Sequence, residues 1–296
     1  MPPTPHFDKL KAAIENPKCR KDVRLLREAM GLYRAWTADL DALSSGGKAR
    51  VAEMVTLLNR YKDAFEVESV MKRGSDLLRR QKGQLKLDNS ILEEFLIRLV
   101  DADIIQRLGD ARFLCGPRNA FMSLSFRPRG FAELGRRPEV VLKTKDQDFV
   151  VGTEIHYKFS ASPEFQPEVT AEGSLVLAVL AAECKVNLDK TMFQEAAGTA
   201  MRFKQGCPIS KYFVLVEYLD MEPEDSRLTD IDNVFLLRHA RRLPFEKRSK
   251  IEEVERQHRE HPIDTELVWR FVEAIQAFVD AAWYDPEEAL RRGSFV

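Results

Sequence analysis

The chain has 296 residues, 44% of them hydrophobic, and sets 46 Lys and Arg against 47 Asp and Glu. That is enough apolar material for a sizeable core, and the near-even balance excludes net charge as the source of affinity for a polyanion, leaving local clustering to supply it. No apolar run nears the roughly 18 residues of a membrane span, MPPTPHFDKLK at the start lacks a signal-peptide pattern, and Cys19, Cys115, Cys184 and Cys207 are too scattered for a zinc knuckle or a disulfide framework; a cytoplasmic protein with free thiols and no membrane partner is expected.

The first stretch, 1–109, reads as helical. VRLLREAMGLYRAWTADLDAL (23–43) carries apolar residues three and four apart, SSGGK breaks the pattern, and ARVAEMVTLLNRYKDAF resumes it. DNSILEEFLIRLVDADIIQRLG (88–109) predicts a further helix capped at Asp88, Asn89 or Ser90, with Glu93 and Glu94 in its first turn and Gly109 as its stop. SSGGKAR lacks the spacing of a phosphate-binding loop and follows a helix, so it is read as a turn.

The middle, 110–243, changes period. FVVGTEIHYKF (149–159), LVLAVLAAEC (175–184), SKYFVLVEYL (210–219) and DNVFLLR (232–238) are short runs rich in Val, Phe, Tyr and Leu between turn formers, and they predict strands. Between the second and third, Asp189 caps a helix, KTMFQEAAGTAMRFKQ, that Gly206 and Pro208 end. This order gives an α/β or α+β core. In the tail, 244–296, KRSKIEEVERQHREH reads as a solvated helix, so that His258 and His261 are not taken as a metal pair. TELVWRFVEAIQAFVDAAW follows, with a stripe of Leu267, Phe271, Ile275, Phe278 and Ala282 that needs a partner surface.

One feature of the second strand points to chemistry. Eight apolar residues, Leu175 to Ala182, run straight into Glu183-Cys184-Lys185. Side chains alternate along a strand, so Glu183 and Lys185 share one face and Cys184 takes the other. On the preceding strand the even positions Asp148, Gly152, Glu154, His156 and Lys158 share a face, and antiparallel pairing is expected to set Glu183 opposite about Gly152, within reach of both Asp148 and Glu154. His156 is read as a core histidine. Carboxylates and a lysine converging on one face repel and lose hydration unless a hard divalent cation joins them. Mg²⁺ suits such a pair, keeping waters and a substrate phosphate, while the lysine orients or activates water. The following helix adds Gln194 and Glu195, either of which could complete the metal's outer shell or hold water. Glu172 is rejected as a partner of Glu183, because eleven extended residues separate them by roughly 35 Å.

This order of acid, ExK, helix and strand resembles the PD-(D/E)XK nuclease superfamily. More narrowly, TEIHYKFSAS (153–162), ECKVNLDKTMFQEAAGTA (183–200) and KYFVLVEYLDM (211–221) resemble the Bpu10I family of type II restriction endonucleases. The resemblance implies a restriction-endonuclease-like mixed sheet with flanking helices and Mg²⁺-dependent, sequence-specific cleavage of double-stranded DNA. It also implies a family in which two different subunits each cut one strand, so a dimer, with a different second subunit where this chain follows that pattern, is expected. Carried over, Glu183 is a metal ligand, the Cys184 carbonyl a further one and Lys185 the catalytic lysine; with no Pro-Asp before the second acid, Asp148 and Glu154 stand as rivals for the remaining place. DNA contacts are expected from two basic segments: KRGSDLLRRQKGQLK (72–86), with Arg79, Arg80 and Lys82, and the stretch 111–137, with Arg118, Arg127 and Arg129 among its six arginines and four phenylalanines. The acids crowding 217–232 are read as a solvated loop. A shape-reading repair or junction nuclease and a non-catalytic DNA-binding subunit are the competing functions.

Overall fold

The structure is a computed structural model that describes residues 3–105, 108, 112–281 and 286–294. The chain begins with helices α1 (Pro5–Glu15), α2 (Val23–Asp41) and α3 (Gly47–Lys62); α3 runs on as a π-helical stretch, Asp63–Met71, and α4 (Asp76–Gln81) and α5 (Asn89–Leu99) follow. α5 ends at Leu99, ten residues short of the expected stop, and Gly109 lies outside the described residues, as does Ala282 of the tail's stripe. Then come β1 (Leu114–Phe126), β2 (Val140–Ser160), β3 (Thr170–Leu188), α6 (Lys190–Gly206), β4 (Lys211–Leu219), β5 (Asn233–Arg241), α7 (Ile251–Glu260), α8 (Thr265–Asp280) and α9 (Pro286–Arg292). Among the described residues no helix is long and apolar enough to cross a membrane.

The strands form one mixed sheet in the order β1-β2-β3-β4-β5, antiparallel through β3 and parallel from β3 onward. The parallel half needs a crossover, which α6 supplies, and the interior strand β4 is buried along almost its whole length, which is why its sequence is apolar from Tyr212 to Val216, with Glu217 the one buried charge. On one face Ala181, Val214 and Val216 pack under Phe193, Ala196, Ala200 and Phe203 of α6. On the other face Phe149, Leu180, Ala182, Cys184, Phe213 and Leu215 meet Phe271 and Ile275 of α8 and the N-terminal helices, in one core reaching back to Leu10.

β1 is a strand that sequence patterning misses. LCGPRNAFMSLSF contains Gly and Pro, which disfavour regular pairing, and both sit at an interruption of the β1–β2 register between Gly116 and Arg118, with Gly116 at φ 106°. The ribbon accepts them because the bulge takes up the residues that cannot donate or extend.

β2 is too long to be straight. An extended run from Val140 to Phe159 would span roughly 60 Å, yet Phe126, paired with Val140 at one end, packs edge to face on Phe159 near the other, ring centroids 5.1 Å apart. The strand turns back at Gly152, where a Cβ would lie 2.3 Å from the Leu177 carbonyl oxygen, and the β2–β3 register slips at the same place.

Candidate active site

The register of the hairpin, which closes at Ser160 and Thr170, decides which carboxylates meet. Gly152 pairs with Ala178, not with Glu183. Beyond the bulge Phe149 pairs with Ala182, and one step further the same register sets Asp148 opposite Glu183. Glu154 pairs with Val176, seven residues from Glu183, and is exposed, so the structure does not bring it to the pair. His156, expected in the core, is exposed opposite Ser174, and Glu172 forms an ion pair with Lys158 at the far end of the hairpin.

Asp148 Oδ2 accepts the Cys184 amide at 3.0 Å, which fixes the carboxylate against the end of β3. Its Oδ1 faces Lys86 Nζ at 3.5 Å. Lys86 has a left-handed backbone (φ 53°), a conformation that costs a non-glycine residue on the order of 1 kcal/mol and that is common beside functional groups. Glu183 Oε1 pairs with Lys185 Nζ at 2.8 Å, and its Oε2 accepts the Tyr212 hydroxyl at 3.2 Å. Burial works to deprotonate Lys185, but Glu183 and Asp148 outweigh it and hold the ammonium above its ordinary range. The lysine therefore stands as a cation beside two carboxylates. The Cys184 thiol lies in the opposite core, where burial pushes its pKa up, so hard oxygens face the site and sulfur does not.

Sequence patterning misses three contributors. Tyr212 of β4 clamps Glu183, and burial raises its pKa above the ordinary phenol range, so it remains a donor. Thr199 of α6 lies beside the Tyr212 hydroxyl and accepts from Lys145 of β2, whereas the expected helix residues Gln194 and Glu195 are exposed one turn earlier. The third is Glu93. α5 is docked by Asn89, whose side chain accepts the Val186 amide at 3.2 Å just past Lys185. Glu93 follows one turn on, only 3% exposed, with its Oε1 lacking a hydrogen-bond partner among the described residues. Burial and then the Asp148 charge push it up to about 7. Its helical spacing signals only a first-turn acid; what sets it apart is its approach to strands more than fifty residues away.

A raised folded pKa means stability present below the unfolded value, 4.5, and lost as pH rises through about 7. Glu93→Gln removes that loss. In chelator, the variant is expected to be more stable than the wild type at pH 8, by on the order of 2 kcal/mol, with the advantage vanishing near pH 4.5; parallel stability curves would contradict it.

Of the residues expected to meet DNA, Arg79, Arg80 and Lys82 line a cavity of about 330 Å³ with Arg242, Arg248 and Asn187, two residues past Lys185. Arg118 stands on β1 opposite Gln147, next to Asp148. Arg127 and Arg129 both pair with Glu139 in the loop joining β1 to β2.

Among the described residues no group of three or more His, Cys, Asp or Glu could by itself enclose a metal ion. The facing set of Asp148 and Glu183, with the partnerless Glu93 oxygen nearby, is the open, all-oxygen kind that suits Mg²⁺, which takes one or two carboxylates and completes its shell with water and phosphate.

The family model of the Bpu10I restriction endonuclease matches residues 84–295. Among solved structures the fold is similar to one described as the native BbvCI A2B2 tetramer, with a TM-score of 0.63 and 18% identity over 94% of this chain and 98% of that one. No curated protein matches.

Proposed function

The chain belongs to the Bpu10I restriction endonuclease family and is a type II site-specific endonuclease, and we propose that it cuts double-stranded DNA with Mg²⁺ held by Asp148 and Glu183. The observation that supports this reading is the register that faces Asp148 with Glu183 while Lys185 sits 2.8 Å from Glu183. When bound, Mg²⁺ would draw charge from the scissile phosphate and lower the pKa of its water. Asp148, aligned by the Cys184 amide, and Glu183, clamped by Tyr212, would hold the ion through their free lone pairs, and the Cys184 carbonyl would be a further donor at the same strand end. Lys185, kept protonated, orients the attacking water and offsets charge that develops on the phosphate. Glu93 is the residue placed to take a proton there or to bind a water of the ion.

One chain carries one such centre, so cutting both strands takes a second. The similar BbvCI structure is an A2B2 tetramer, and a second subunit, identical or different, is proposed for this chain as well. Digestion of supercoiled plasmid by the purified chain with Mg²⁺ tests the reading: discrete products are expected, nicked circles if the chain works as one half of a pair and linear DNA if it pairs with itself. A smear would point to a nuclease that does not read sequence, and intact plasmid with Mg²⁺ or Mn²⁺ would overturn the assignment.

A further inference from the structure

The loop joining β1 to β2, residues 127–139, projects from the end of the ribbon with four arginines against two glutamates. Phe131 at its tip is 92% exposed and Leu134 is 57% exposed. A side chain of that size left in water forgoes the stabilisation that burial would give, and the loop's regular backbone hydrogen bonds, Arg127 to Glu139 and Glu133 to Gly130, show that the tip is held in shape rather than left to collapse. Arg127 and Arg129 share Glu139, and Arg136 pairs with Glu133. Arg137 is exposed with no ion pair among the described residues. The folded-back end of β2 and β3 supports the loop from beneath through Phe126 and Phe159, and together they bound an open cavity of about 970 Å³.

The path from this loop to Asp148 is also basic. Lys143 and Lys145 of β2, with Arg202 of α6, line a second cleft of about 600 Å³. Lys145 donates to Thr199, which lies beside the Tyr212 that clamps Glu183, so this cleft opens on the same face of the sheet as the carboxylates. From Asp148 back to Val140 is eight residues, roughly 26 Å of strand, or the length of about eight base-pair steps.

We propose that the β1–β2 ribbon is a DNA-reading arm: it lies along the duplex beside the scissile phosphate, its lysines and Arg136 and Arg137 on the backbone, and its Phe131 tip against base edges in the major groove. A two-stranded ribbon fits that groove, and an exposed aromatic flanked by arginines can meet a thymine methyl or base edge while the guanidinium groups hold phosphates. The charge on the loop and along the cleft favours nucleic acid over a protein surface. The arm rests on the nuclease reading, since it places the phosphates relative to Asp148 and Glu183.

The test uses the full chain with a random-sequence 40-base-pair duplex in EDTA, over a range of salt, and then with plasmid and Mg²⁺. The double variant Arg136→Ala with Arg137→Ala is expected to bind the duplex about tenfold more weakly, with a log–log salt slope smaller by about two, one for each phosphate that is no longer neutralised. Phe131→Ala is expected to keep the slope and to cut its plasmid sites about tenfold more slowly. Wild-type slope and wild-type cutting in both variants would overturn the arm while leaving the nuclease intact. A change in sedimentation with unaltered DNA binding would overturn it too, and would make the tip a subunit contact. A wild-type chain that neither binds nor cuts DNA would overturn the nuclease reading and the arm with it.

Discussion

Lys185→Ala is expected to lower single-turnover cleavage by about 10³-fold, the scale of losing one preorganised charge at a developing anion, while binding to duplex DNA in EDTA stays within a factor of a few. The reason lies in the pair's geometry. Lys185 Nζ is 2.8 Å from a carboxylate that Tyr212 also holds, so removing the ammonium leaves both carboxylates in place and, on the proposed mechanism, takes away the charge that orients water. Asp148→Asn is expected to fall as far, because it halves the acidic pair. Glu154→Gln is the control that separates the two sequence-level rivals: opposite Val176 and exposed, it is expected to cut at the wild-type rate. A fully active Lys185→Ala, or an inactive Glu154→Gln beside an active Asp148→Asn, would refute the site.

The polarity break at Glu183-Cys184-Lys185 is legible because strand alternation is local: eight apolar residues followed by two charged ones on one face needs no knowledge of the rest of the chain. Its partner is not. Which residues meet depends on where the hairpin closes, at Ser160 and Thr170 with β3 beginning before Leu175, and on the slip at Val151 and Gly152, which moves every pairing beyond it by one more residue. The helix after the strand can be read from Asp189 to Gly206, yet the residue it sets beside Tyr212 is Thr199, buried where Gln194 and Glu195 are exposed. β1 is hidden by the Gly and Pro that its bulge accommodates. Residues whose sequence suggests a solvent-facing position depart from it for a common reason: Glu217 heads the acids of 217–232 and His258 sits in a charged helix, but their partners are on other elements, and a charge paired across the core looks in sequence like one paired with water.

Those partners form a buried charge cluster that joins α3, β4, β5 and α7. Lys62, at the end of α3, lies 2.8 Å from Glu217 of β4 and donates to Glu66 of the π-helical stretch at 2.5 Å. Arg238 of β5 donates to the other Glu217 oxygen at 2.8 Å, and His258 of α7 meets Asp63 at 2.9 Å and Glu66 at 3.6 Å. Lys62 and Glu217 are fully buried, so neither charge has water to fall back on. Burial alone would lower the Lys62 pKa, yet Glu217 and Glu66 carry it upward; burial alone would raise Glu66, yet Lys62, Lys82 and His258 hold it at about 2. Lys62→Met keeps the volume and removes the central cation, and is expected to cost about 3–5 kcal/mol at pH 7, the penalty of a buried charge left without its partner. The pH dependence follows from Glu66. With a folded pKa of about 2 below an unfolded 4.5, its contribution is present in full above pH 4.5 and is lost as pH falls toward 2. In Lys62→Met the carboxylates gain by taking protons, so the deficit against the wild type should shrink as pH is lowered from 7 to about 3.5. Urea unfolding at the two pH values measures it, and a deficit that is equal at both, or below about 1 kcal/mol at pH 7, would mean that the cluster does not tie the N-terminal helices and α7 to the sheet through charge.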